Sequence, residues 1–94
     1  MRNIVPAEVG GKTVLPKHLD KPRLRRENAS EYLDIVYGIT IAPATLAKLA
    51  CIGGGPRFHK VVRTPLYPRE ELDVWAAERL GKLVRRSSEA DATR

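Results

Sequence analysis

Apolar residues recur at helical spacing in three stretches of this chain. Ala29, Tyr32, Leu33 and Val36 fall at i, i+3, i+4 and i+7, while Glu27, Ser30, Glu31 and Asp34 take the other face, which predicts a helix over 25–36. Leu24 is placed to pack back on its first turn, and Tyr37-Gly38 ends it, Gly38 being free to take positive φ. A second, shorter helix is predicted over 43–51. Pro43 suits its first turn, and Gly53-Gly54-Gly55-Pro56 stops it. Leu46, Leu49 and Ala50 then face the core, leaving Ala44, Ala47, Lys48 and Cys51 outward with Thr45 at the edge. The third helix opens after Pro68, with Glu70 and Glu71 in the first turn where the helix dipole favours acid. Its stripe is Leu72, Trp75, Ala76, Leu80 and Leu83, and Gly81 either ends it or costs about 1 kcal/mol inside a longer helix.

Between the second and third helices the pattern shortens to that of strands. Phe58, Val61 and Val62, then Leu66-Tyr67, predict two short strands joined around Arg63-Thr64-Pro65, with Pro65 and Pro68 limiting the pairing. The fold class expected is mainly α with a small β-hairpin: a winged helix-turn-helix of three helices and a two-stranded wing. Residues 1–23 lack any period and contain Pro6, Gly10, Gly11, Pro16 and Pro22, so they are expected as a basic flexible arm, with one short ordered piece around Thr13 to Leu15. The domain is expected over 24–84, followed by a disordered tail over 85–94.

Charge adds direction to this outline. The chain of 94 residues carries a formal net charge of +6, which suits a polyanionic partner. Seven bases against Glu8 and Asp20 give residues 1–26 a net +5, and Arg57, Lys60, Arg63 and Arg69 give 57–69 a net +4 with no acid. The helix pair between them is net negative, Lys48 being its one base against Glu27, Glu31 and Asp34. A single Cys cannot form an internal disulfide, no apolar run approaches the roughly 20 residues of a membrane span, and residues 1–11 lack the apolar core of a secretory signal. A cytoplasmic protein without membrane contact is expected.

In the order Ala29 with Glu31-Tyr32-Leu33, Ala44-Thr45-Leu46, Gly54-Gly55-Pro56, Leu66-Tyr67 and Leu72-Asp73-Val74-Trp75, the chain resembles the excisionase-like, MerR-related family of small winged helix-turn-helix proteins. The APATLAKL and CIGGGP wording is similar to members from rhizobial mobile elements. The resemblance implies a regulator of a mobile genetic element that binds double-stranded DNA, bending it for excision as a recombination directionality factor or acting on transcription. It also implies candidate protein partners, a recombinase or a transcriptional activator inhibited by an antiactivator, and leaves open self-assembly of copies along DNA. Two departures stand out: the connection from Asp34 to Ala42 is longer than the family's usual turn, and Lys48 is the only base on the second helix.

If the 43–51 helix enters a major groove, Lys48 reaches a guanine edge or a phosphate, Thr45 donates to a phosphate, and Ala44 or Ala47 touches a thymine methyl. Most of the grip is then expected from Arg57, Lys60 and Arg63 on the wing and from Arg23, Arg25 and Arg26 on the arm. The alternative is a protein-binding face of Ala44, Ala47, Lys48 and Cys51. Enzymatic chemistry is not expected. His18 and His59 stand far apart, a lone Cys51 gives no metal spacing, and the glycine run lacks the Lys-Ser/Thr ending of a phosphate loop, so no cofactor or metal is expected.

Overall fold

In the computed structural model, which describes residues 15–88, the chain enters the core before its first regular helix. Pro16 leads into a single 3₁₀ turn over Lys17–Leu19, and this turn drives Leu19 completely out of solvent. Leu15 packs partly against the same core. Residues 15–23 therefore belong to the packed fold rather than to a free arm, and the rest of the expected arm, residues 1–14, lies outside the described residues. Pro22 contributes as well, its carbonyl accepting from the Arg69 amide at 3.1 Å.

Strand β1, Arg23–Leu24, follows directly and pairs antiparallel with β3, Thr64–Pro68, which also pairs with β2, His59–Val61. The sheet thus has three strands in the order β1-β3-β2, where the sequence suggested a two-stranded wing. Two residues are too few to show a period of two, which is why β1 left no pattern. β3 is central by order, yet its neighbours use different parts of it: β2 faces residues 64–66 and β1 faces 67–68. Each proline of β3 therefore removes a donor from a ladder that is single-sided at that point. By alternation, Leu24 and Tyr67 share the face that points into the core, while Arg23, His59, Val61, Thr64 and Pro68 share the other.

Helix α1, Arg26–Tyr32, is shorter than predicted and runs into a π-helical turn over Leu33–Tyr37. The wider turn changes which side chains face inward. Ala29, Tyr32 and Leu33 are buried as expected, but Val36 is 39% exposed and Tyr37 packs against the core in its place. Gly38, at φ 72°, ends the turn in the left-handed region. The long connection that follows is a packed strap. Ile41 is buried, Ile39 lies against the core, and the Ser30 hydroxyl donates to the Ile41 carbonyl.

Helix α2, Pro43–Ile52, has Pro43 in its first turn and packs Leu46 fully and Leu49 partly. Helix α3, Arg69–Leu80, starts with Glu70 and Glu71 and buries Leu72, Trp75 and Ala76. It ends at Gly81, φ 64°, so Leu80 and Leu83 lie outside the core that the stripe assigned them to. Residues 81–88 are exposed, and residues 89–94 of the expected tail lie outside the described residues.

Three helices and a three-stranded antiparallel sheet share one core, which Tyr67, Leu19, Leu24, Leu33, Leu46 and Leu72 fill. A polar clasp closes one side of it. Tyr32 and Tyr37 both donate their hydroxyls to Asp73 Oδ1, at 2.8 and 2.5 Å, tying α1 and the π turn to α3. Burial first, and the hydrogen bond to Asp73 second, push the Tyr32 phenol up to about 12 and Tyr37 higher still. Arg69 stacks over the Tyr32 ring at 5.6 Å and bonds Asp20 at 3.3 Å, which holds the 3₁₀ turn against the start of α3.

Candidate nucleic-acid interface

The stretch from α2 to β2 is fixed at both ends, and this fixes where the following basic residues emerge. Gly53 and Gly54 take φ of 88° and 98°, a path a side chain would resist, and Trp75 Nε1 donates to the Gly54 carbonyl at 2.8 Å. A Cβ on Gly55 would stand 3.0 Å from the Leu49 Cβ, so the backbone lies directly on α2. Pro56 is buried beside it. The glycine run is therefore a tight, anchored exit.

Of the cations expected at the interface, two are engaged within the fold. Arg57 makes a bidentate pair with Glu71, both bonds 2.9 Å. The pairing raises the already high pKa of Arg57 and lowers that of Glu71, the hydrogen bond being the main cause in each case. The Arg57 side chain is still 84% exposed, so the pair is a solvated one worth little to stability. Arg26 donates Nε to the Tyr67 hydroxyl at 3.1 Å, with its guanidinium 5.8 Å from the ring centre. It braces β3 rather than standing free as part of an arm. Neither pairing was visible from the sequence, since the partners lie 14 and 41 residues away.

Arg23 and Arg57 line one open cavity of about 590 Å³ together with Phe58, His59, Glu70 and Glu71. Arm and wing cations do meet here, but two glutamates balance them, which makes the cavity a poor trap for a lone phosphate. Lys48, Lys60 and Arg63 are different: each is exposed and has no ion-pair partner among the described residues. Arg25 is exposed and unpaired in the same way.

The outward face of α2 is as expected, with Ala44, Thr45, Lys48 and Cys51 exposed and Ala47 half-buried. Ile52 extends this face at 69% exposure.

The turn of the β2–β3 hairpin differs from the expected Arg63-Thr64-Pro65. Val61 pairs with Thr64, so the loop is Val62-Arg63 alone. Val62 has φ 60°, the one non-glycine residue at positive φ among the described residues, and it is 89% exposed. Sequence reasoning missed it because two-residue hairpin loops are signalled by Gly, Asn or Asp, none of which is present.

Among the described residues no three His, Cys, Asp or Glu side chains converge as metal ligands, and no helix is long and apolar enough to cross a membrane. No family model, curated protein or solved structure matches the chain.

Proposed function

We propose that this protein is a DNA-binding regulator of the winged helix-turn-helix type, akin to the excisionase-like proteins of mobile genetic elements. The observation that carries the reading is the β2–β3 hairpin, which projects unpaired Lys60 and Arg63 from a stretch, residues 57–69, containing four bases and no acid. It follows an anchored exit from α2, whose Lys48 and Thr45 are exposed for a groove. Phosphate neutralisation by Lys60, Arg63, Lys48 and Arg25 supplies affinity, and one lysine on α2 supplies little base reading. Such a protein acts by shaping DNA or by binding in several copies, under cytoplasmic conditions and without a cofactor.

Fluorescence anisotropy of a labelled duplex against salt tests this. Lys60→Ala and Arg63→Ala each flatten the plot of log affinity against log salt by about 0.9, the value for one lost phosphate contact. Absence of binding at low salt, or slopes identical to wild type, would refute it.

A second reading is favoured by the exposure of Ala44, Cys51 and Ile52 on one helix with a single charge. In that reading α2 docks on a transcriptional activator or recombinase, and the protein is an antiactivator. Ala44→Arg then abolishes the protein complex, whereas a DNA-binding α2 tolerates the added cation.

A further inference from the structure

Val62 is unfavourable in the isolated molecule in two ways. Its backbone stands at φ 60°, where a β-branched side chain crowds its own backbone, and its side chain is 89% exposed. Positive φ at the first loop residue only is the pattern of a type II′ hairpin turn, in which that position favours glycine. Val62 lies outside the core and the residues packed against it among the described residues, so burial there offsets neither cost. Val61 beside it is also 52% exposed, so the hairpin ends in an apolar tip. Lys60 and Arg63 flank that tip, and neither has an ion-pair partner among the described residues.

We infer that Val62 is a wedge that enters the minor groove of duplex DNA and partly unstacks one base step, while Lys60 and Arg63 hold the phosphates on either rim. The inference rests on the DNA-binding reading and adds to it the mode of contact and a source of bending. A two-residue loop is narrow enough for a groove about 6 Å wide, whereas the wider ribbon behind it is not. A valine has no donor or acceptor with which to read a base edge, so its use there is apolar insertion, which kinks DNA towards the major groove. Pyrimidine–purine steps open at least cost and are the expected sites. The flanking cations favour a polyanion over a neutral protein groove.

The full chain is titrated into a duplex of about 30 base pairs that carries 2-aminopurine at several TpA steps and a dye at each end, so that unstacking and bending are read together. Wild type is expected to raise 2-aminopurine fluorescence about two-fold or more and to shorten the end-to-end distance. Val62→Gly and Val62→Ser are expected to abolish both responses while keeping the salt slope of binding, since no phosphate contact is lost. Val62→Gly is also expected to melt at a higher temperature than wild type, which excludes misfolding as the cause. Bending and fluorescence by Val62→Gly equal to wild type would overturn the wedge and leave the DNA-binding reading standing. The same follows if wild type binds the duplex without a fluorescence change. Failure of wild type to bind the duplex would overturn both. Val62-dependent binding to vesicles of phosphatidylserine and phosphatidylcholine, with no fluorescence response on DNA, would assign the tip to a membrane surface and overturn the wedge.

Discussion

Leu19→Ala removes the side chain that brings the segment before β1 into the fold. Leu19 has no exposed surface and sits among Leu24, Leu33 and Leu72 in the core set, although it lies between Pro16 and Pro22 in a stretch with no helical or strand period. Truncating a fully buried leucine costs about 2.7–5 kcal/mol, depending on how far the site collapses. Here the neighbouring backbone is one 3₁₀ turn held by the Arg69–Asp20 bond and the Pro22 carbonyl, so it settles inward more readily than a long helix would. The lower part of that range, about 2.7–3.5 kcal/mol, is therefore expected. A domain of this size has roughly 4–10 kcal/mol in all, so the loss is a large share of it. In urea denaturation followed by Trp75 fluorescence, with a slope near 1 kcal/mol per molar, the midpoint should fall by about 2.7–3.5 M. Lys17→Ala, on the exposed side of the same turn, should move it by less than about 0.5 M. Equal, small shifts for both variants would show that residues 15–22 are an arm after all.

Alkali should unfold the protein through the tyrosine clasp. The folded state holds Tyr32 and Tyr37 protonated more tightly than the unfolded chain does, so their contribution is complete below pH 10 and is lost above it, that of Tyr32 as pH rises to about 12 and that of Tyr37 at higher pH still. For Tyr32 the loss is at most about 3 kcal/mol, and Tyr32→Phe should flatten the fall seen by circular dichroism between pH 10 and 12; an unchanged profile would exclude the clasp. Trp75→Phe deletes the bond to the Gly54 carbonyl and the contact with Arg79, 5.2 Å from its ring. It should cost about 1–3 kcal/mol and speed amide exchange across residues 53–56, and exchange at the wild-type rate would mean the exit is not anchored there.

The three helices were legible because each buries a stripe that repeats at 3.6 residues, and Leu33, Leu46, Leu72 and Trp75 stand where that spacing puts them. The failures have separate causes. Val36 and Tyr37 exchange places because a π turn alters the angular step, and no local residue type announces one. Leu80 and Leu83 continue the stripe numerically, but Gly81 stops the helix beneath them. β1 and Leu19 hold their places through β3 and α3, more than 40 residues away, and long-range pairing leaves no trace in a short window. At the candidate site the bases themselves could be read directly. Their partners could not: Glu71 takes Arg57 and Tyr67 takes Arg26, leaving Lys48, Lys60, Arg63 and Arg25, with Arg23 in the cavity that Glu70 and Glu71 also line, as the expected site cations without an ion pair among the described residues.

Whether the hairpin and α2 together grip duplex DNA is read residue by residue in an NMR titration of ¹⁵N-labelled protein with a short duplex at low salt. A joint grip by α2 and the hairpin gives concentrated shifts at 44–48 and 59–64 that fade as salt is raised, with Leu33 and Ala76 in the core unmoved. A spectrum that DNA leaves unchanged, or shifts confined to residues 79–88, would contradict it.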